Sequence, residues 1–107
     1  MFELEYVVLP SDPSNVLRST YALELIEKDL REVCNVVKAG ASLLCAPSSD
    51  TLIVVFTSFN EGRQLNIHIK VQSINSQSLV NLLSKIGSRL REQGYVMTLA
   101  TSSSIFK

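Results

Sequence analysis

The sequence predicts a single α+β domain in which two helices cover one face of a β-sheet. Three observations support this fold class. The segment from Thr51 to Gln72 has the pattern of a β-hairpin, two other segments have the periodicity of amphipathic helices, and the elements follow the order strand, helix, strand, strand, helix, strand. At 107 residues the chain has the length of one domain, 1–107, which can bury a core without disulfides or metals.

The first element is a predicted strand from Phe2 to Leu9, which Pro10 ends. Ser11-Asp12-Pro13 has the composition of a helix start, because Asp can accept hydrogen bonds from the first turn and Pro fits the first helical position. We therefore expect a long helix up to about Val37, closed by Gly40. Its apolar stripe comprises Ala22, Leu23, Ile26, Leu30, Val33 and Val37.

Residues 41–50 give the weakest pattern, since Ser42-Leu43-Leu44-Cys45 fits either a short strand or a buried loop. The hairpin that follows consists of two nine-residue runs, TLIVVFTSF and QLNIHIKVQ, joined by Asn60-Glu61-Gly62-Arg63. The second run alternates strictly, which indicates a half-buried strand, whereas the first run is apolar on both faces.

A second helix is predicted from about Ser76 to Gln93, with Asn75 as N-cap and Gly94 at its C-terminal end. The last strand is predicted from Tyr95 to Ala100. Residues 101–107 are expected to form a flexible or packing tail.

This order of elements matches two strand-helix-strand units with right-handed crossovers, which is the ferredoxin-like βαββαβ arrangement. We therefore expect a two-layer sandwich of four antiparallel strands with both helices on one face. The other face is then open, and polar side chains from two central strands meet on it. These polar candidates are Glu3, Glu5, Asn66, His68 and Lys70.

Composition excludes several classes of function. Ten Lys and Arg residues balance ten Asp and Glu residues, so no field of one sign attracts nucleic acid or an anionic membrane. The longest apolar run, Leu52 to Phe56, is far shorter than the ~20 residues of a membrane span. The cationic residues Lys85, Arg89 and Arg91 are interpreted as helix-dipole and solubility charges, with a small remaining case for nucleic-acid contact.

We expect a cytoplasmic protein with reduced cysteines. The segment Met1-Phe2-Glu3-Leu4-Glu5 carries two acids where a secretory signal needs bases. Cys34 and Cys45 form no CxxC pair and have no His at metal-ligand spacing, so we interpret them as small buried apolar residues. We predict no metal and no cofactor.

The polar candidates permit two interpretations. His68, Glu5 and Lys70 could form an acid-base or anion-binding cluster, because His titrates near neutrality. We favour a solvated sheet face, since the chain has one His, no GxSxG, HExxH or GxGxxG motif and no Gly-rich phosphate loop. The third predicted strand also lacks the aromatic residues with which such sheets stack RNA bases.

The apolar pattern points instead to protein binding. One of two sets in the first hairpin strand must face away from the helices: Leu52, Val54 and Phe56, or Ile53, Val55 and Phe59. In the last predicted strand the same choice is between Tyr95, Met97 and Leu99 on one face and Val96 on the other. The interface candidates are Ile53, Val55, Phe59, Tyr95, Met97 and Leu99.

We therefore expect a small non-catalytic subunit that forms a dimer or binds another protein through its open sheet face or an edge strand. Two alternatives remain. One is a regulatory domain that binds a metabolite at a dimer seam, and the other is a small enzyme that uses His68.

Overall fold

A computed structural model describes the backbone at residues 2–10, 19–59 and 65–104 and the side chains at 2–10, 22–58 and 66–100. These residues form an α+β domain with a six-stranded antiparallel sheet and two helices. The strands are β1 (Phe2–Pro10), β2 (Val36–Ala39), β3 (Ser42–Ser48), β4 (Thr51–Phe59), β5 (Leu65–Ser73) and β6 (Tyr95–Ser104). The helices are α1 (Ser19–Arg31) and α2 (Ser76–Glu92). The order across the sheet is β2-β3-β4-β5-β1-β6.

The prediction of a four-stranded ferredoxin-like sheet is wrong, because two further strands extend the sheet beyond β4. Other parts of the prediction are confirmed. The sequence indicated the hairpin of β4 and β5, and β1 pairs antiparallel with β5 in the centre of the sheet. The predicted start of the first helix, Ser11-Asp12-Pro13, lies outside the described residues.

The additional strands arise where the sequence predicted the end of the first helix. The helix α1 ends at Arg31, and a turn follows in which the Cys34 amide donates to the Leu30 carbonyl at 2.9 Å. Val36 and Val37 then enter β2 with side chains on opposite faces of the sheet, as their pairing with Cys45 and Leu44 requires. Their β-branched side chains suit a strand better than a helix.

The prediction that Gly40 closes the first helix is wrong, although its backbone is left-handed. Its φ of +62° lies in the tight turn between β2 and β3 and not at a helix C-terminus. The end of α2 follows the prediction more closely, because Gly94 has a φ of +92° directly after the helix.

Asn75 caps α2 as predicted. Its side-chain oxygen accepts from the backbone amides of Gln77 at 3.0 Å and Ser78 at 3.2 Å, which satisfies two of the free N-H groups of the first turn.

The core lies between the helices and one face of the sheet. Ile26 and Leu30 of α1 and Leu90 of α2 pack among fully buried side chains of three central strands. Those sheet residues are Val8, Ile53, Val55, Ile67, Ile69 and Val71. Because residues i and i+2 of a strand share a face, the alternate residues of the same strands face away from the helices.

Cys34 and Cys45 form a disulfide, with Cα atoms 5.9 Å apart. The expectation of reduced, independently buried cysteines is therefore wrong for this structure. The bond joins the turn after α1 to β3, and it fixes the end of the helix against the additional hairpin. The two cysteines are 11 positions apart in the sequence and belong to no recognised cysteine motif, so their spacing did not indicate a disulfide.

A buried carboxylate lies between the helices. Asp29 of α1 is 5% exposed, and its Oδ1 lies 3.7 Å from a guanidinium nitrogen of Arg89 on α2, which also pairs with Glu32. The side chain of Gln93 lies next to the same carboxyl group and favours its ionised form. Among the described residues, Asp29 Oδ2 and Gln93 Oε1 are buried oxygens without a hydrogen-bond partner. Burial raises the pKa of Asp29, although the positive charge of Arg89 opposes this effect.

Candidate functional site

The candidate site is the open sheet face, meaning the face of the sheet opposite the two helices. The pairing register fixes its members, because residues directly opposite each other on neighbouring strands share a face. On β4 these residues are Leu52, Val54, Phe56 and Ser58, and they lie opposite Gln72, Lys70, His68 and Asn66 of β5. On β1, Glu3, Glu5 and Val7 follow opposite Gln72, Lys70 and His68.

One side of this face is apolar, from β2 to β4. We call it the apolar half, and it comprises Val37, Leu44, Leu52, Val54 and Phe56. Val37 is 59% exposed and Leu52 is 37% exposed, while the other three are half-buried. These side chains are adjacent across three strands, so their exposed surface is contiguous and not a set of isolated positions.

The next two strands carry polar side chains, which we call the polar stripe. It contains all five polar candidates predicted from the sequence, together with Gln72: Glu3, Glu5, Asn66, His68, Lys70 and Gln72. The structure places them on the predicted face and on neighbouring central strands.

Within the stripe, Glu3 accepts hydrogen bonds from two residues of β5. Gln72 Nε2 lies 2.8 Å from Glu3 Oε2, and Lys70 Nζ lies 3.1 Å from Glu3 Oε1. The hydrogen bond from Gln72, followed by that from Lys70, lowers the pKa of Glu3, so this carboxylate stays ionised at neutral pH. Both oxygens of Glu3 are therefore paired within the chain.

His68 connects Ser58 and Glu5 in a continuous line. Its Nε2 lies 2.7 Å from Ser58 Oγ, and its Nδ1 lies 3.3 Å from Glu5 Oε2. A proton on Nδ1 would be donated to the Glu5 carboxylate, and Nε2 would then accept from the Ser58 hydroxyl. Phe56 stacks on the ring at a centroid distance of 4.8 Å and an interplanar angle of 5°. The side chain of His68 is 16% exposed, so the line is only partly accessible to solvent.

Five of the six predicted interface residues are not on this face. Ile53 and Val55 are fully buried beneath the helices, so they are unavailable to a partner in the folded chain. Tyr95 is also buried, Met97 packs against the core, and Leu99 is 51% exposed toward the helix side. The side chain of Phe59 lies outside the described residues.

The interface residues predicted on β4 are on the wrong face because the pairing register between β4 and β5 differs by one residue. A hairpin in which residues 60–63 connect the strands would pair Phe59 with Gln64. Ile53 and Val55 would then lie on the same face as the polar stripe. The observed pairing is Phe59 with Leu65, and this shift by one residue exchanges the two faces of the strand. The set Leu52, Val54 and Phe56, which the sequence left as the other choice, therefore faces outward.

The cationic residues of α2 do not form one cluster of unpaired charge. Arg89 is engaged by Asp29 and Glu32, while Lys85 lines a cleft of about 250 Å³ next to Val33 and Pro47. A second cleft, of about 300 Å³, lies between Leu83 and Met97. Both clefts are on the helix side of the sheet, so neither supplies a binding cavity on the open sheet face.

Among residues 2–10, 19–59 and 65–104, no three His, Cys, Asp or Glu side chains are grouped to hold a metal ion. Neither α1 nor α2, the helices in the described part of the chain, is long and apolar enough to cross a membrane.

Within residues 2–10, 19–59 and 65–104, the fold and this face define an α+β domain whose helices cover one side of the sheet. Comparison of the chain with models of protein families, with curated proteins and with solved structures finds no match.

Proposed function

We propose that this protein is a small non-catalytic interaction subunit that binds a protein surface through its open sheet face. The observation that supports this proposal is the apolar half, where Val37 and Leu52 are exposed beside half-buried Leu44, Val54 and Phe56. Burial of apolar surface contributes about 25 cal/mol per Å², so a surface of complementary shape would bind here with a favourable free energy.

The polar stripe is compatible with such burial. Isolated polar groups are costly to remove from water, but Glu3, Glu5 and His68 already have partners at 2.8 to 3.3 Å within the chain. A partner that covers the stripe therefore leaves these hydrogen bonds intact and need not replace them.

The open sheet face supports the proposal better than the sheet edges do. The edge strand β2 has four residues, and β1 and β6 have an irregular register between Glu5 and Tyr6, which interrupts the regular ladder at the other edge. A face of six strands offers a larger continuous surface.

The experiment compares two charge substitutions in otherwise equivalent proteins. Val54→Asp introduces a carboxylate in the middle of the apolar half, and Val80→Asp introduces the same charge at a position on α2 that is 57% exposed. Tagged wild-type protein and both variants are incubated with cell extract that also contains untagged wild-type chain, and every protein recovered is quantified. Thermal unfolding first establishes that the variants are folded.

We expect wild type and Val80→Asp to recover the same protein, either a second copy or another chain, and Val54→Asp to lose it. Equal recovery by wild type and Val54→Asp would refute the proposal.

One observation favours a second candidate function, a small hydrolytic enzyme. The line from Ser58 through His68 to Glu5 has the order of a nucleophile, a base and an orienting carboxylate. In such an enzyme Ser58 Oγ would bond to the acyl carbon of an activated ester while His68 Nε2 accepts the serine proton, and the ester C–O bond would break to release the alkoxide or phenolate leaving group. Water, deprotonated by His68, would then hydrolyse the acyl-Ser58 ester and regenerate the serine.

The test for this candidate is the release of p-nitrophenolate from p-nitrophenyl acetate, with mass spectrometry of the protein to locate an acetyl group. Activity that exceeds that of Ser58→Ala and His68→Ala by at least tenfold would support the enzyme. Equal rates in all three proteins would exclude it. The proposal of a metabolite-binding regulatory domain stays a prediction.

A further inference from the structure

We infer that the partner of the open sheet face is a second copy of this chain, packed face to face about a two-fold axis that crosses the strands. This inference rests on the function proposed above and adds the identity of the partner and its orientation. It draws on the size of the face, the balance of its charges and the separation of its apolar and polar parts.

The open sheet face has the size that a stable dimer needs. Six strands about 4.8 Å apart span about 24 Å between their axes, and nine-residue strands are about 30 Å long, which gives a face of about 700 Å². Stable interfaces bury about 800 Å² per partner. One copy of the sheet therefore covers another almost completely, and two packed sheets lie about 10 Å apart as in a β-sandwich.

The overall charge of the chain permits a second copy. The polar stripe holds both signs, with Glu3 bound to Lys70 and Glu5 bound to His68. Ten basic residues balance ten acidic residues in the whole chain, so two copies approach each other without net repulsion. A partner of strong single charge would gain little from this surface, because the stripe offers it attraction and repulsion at neighbouring positions.

The arrangement of the face selects the orientation. A two-fold axis in the plane between the sheets can run along the strands or across them. An axis along the strands would lay β4 with its apolar Val54 over the partner's β5, where Lys70 lies. An axis across the strands lays β4 over the partner's β4 and the polar stripe over the partner's stripe. The second orientation therefore lays the apolar half against the partner's apolar half.

Sedimentation equilibrium of the purified chain tests this inference. We expect a dimer for wild type and for Val80→Asp. Val54→Asp should weaken the dimer about 100-fold or more, because symmetry places the added carboxylate in the apolar contact twice. Val37→Asp is the second variant. Its side chain is 59% exposed in the monomer, so the substitution does not disturb the core.

Cross-linking tests the orientation. Val37 lies on the outermost strand β2, so its own copy faces it only if the axis crosses the strands. The native cysteines are joined in a disulfide, so Val37→Cys carries one free thiol. A bismaleimide whose reach matches the ~10 Å between packed sheets should link Val37→Cys chains into covalent dimers and leave Val80→Cys chains monomeric.

The possible failures have different meanings. A monomeric pure chain that recovers another protein from extract, with loss of that protein in Val54→Asp, overturns the second copy but leaves the proposed function standing. A monomeric chain without any partner that depends on Val54 overturns both. A dimer that is insensitive to Val54→Asp, or that fails to cross-link through Val37→Cys, overturns the inferred contact or its orientation.

Discussion

Replacement of Asp29 by Asn is expected to raise the free energy of unfolding at pH 7 by about 1 kcal/mol. The carboxylate lies between the helices at 5% exposure, with Oδ2 unpartnered near Gln93, whose Oε1 is also buried without a partner. The Asn amide replaces the unpartnered Oδ2 by an N-H donor, which can donate to the unpartnered Oε1 of Gln93. Relief of an unsatisfied buried oxygen is worth about 1 to 3 kcal/mol.

The substitution also removes the attraction between Asp29 and Arg89. The two groups are 3.7 Å apart, Arg89 is 38% exposed, and its guanidinium keeps its contact with Glu32. The loss is therefore that of a surface pair, about 0.2 to 1 kcal/mol. The remaining gain of about 1 kcal/mol corresponds to a rise in melting temperature of about 4 to 5 °C for a domain of this size.

The raised pKa of Asp29 determines the direction in which the stability difference between Asp29→Asn and wild type changes with pH. Burial raises the pKa of Asp29 above its ordinary 3.8, so the folded state binds the proton more tightly than the unfolded state. This contribution to stability is complete below pH 3.8 and is lost as pH rises through the folded-state pKa. The advantage of Asp29→Asn should therefore be full at pH 7 and shrink toward pH 4.

Urea unfolding at several pH values between 4 and 7 measures this difference, with Glu32→Gln as the control for the exposed partner of Arg89. The control should change stability by less than about 0.5 kcal/mol. A lower stability of Asp29→Asn than of wild type at pH 7, or an advantage that does not vary with pH, would contradict this prediction.

Three further changes should alter stability in ways that urea unfolding can measure. Asn75→Ala should cost about 1 kcal/mol because the first turn of α2 loses its cap, and no loss would mean that the cap is not formed in solution. Cys34→Ser, or reduction of the disulfide between Cys34 and Cys45, should lower the free energy of unfolding by about 3 kcal/mol, because the unfolded chain is no longer restricted by a closed loop. If reduction leaves the stability of the wild type unchanged, the bond is absent in solution. Ile67→Ala should cost about 2 to 4 kcal/mol at a fully buried site, and its neighbour Asn66→Ala about 0.5 kcal/mol or less; equal effects would contradict the assigned faces of β5.

The sequence was sufficient for elements whose pattern is long and has a single period. The alternation from Leu65 to Val71 assigned β5 and its buried face correctly, and Asn75 and Gly94 marked both ends of α2. These signals are local, because each follows from side-chain periodicity or from the free backbone groups of a helix end.

The additional hairpin could not be predicted with the same certainty. Val33 and Val37 fit the stripe of a helix, and four residues of β2 are too few to show a period of two. Tertiary contacts decide the matter, since the bond between Cys34 and Cys45 and the pairing with β3 hold this segment as a strand.

For the candidate site, the polar positions were predictable and the apolar positions were not. Glu3, Glu5 and His68 occupy strands whose faces the alternating pattern defines. The run from Leu52 to Phe56 is apolar at every position, so only the pairing register determines which residues face outward. Periodicity within one strand contains no information on that register.

The position of β1 also has a consequence for how the domain is made. This strand precedes the other described elements in the sequence but lies between β5 and β6, so Glu5 pairs with Lys70 on one side and with Thr101 on the other. During synthesis β1 leaves the ribosome before either neighbour exists, so its backbone groups have no partners in the sheet until β5 and then β6 have emerged. Contacts so distant in sequence slow folding, and an unpaired central strand is open to association with other nascent chains. We therefore expect folding to begin only after β6 has been synthesised. Chaperone contacts before that stage should centre on the segment from Phe2 to Pro10.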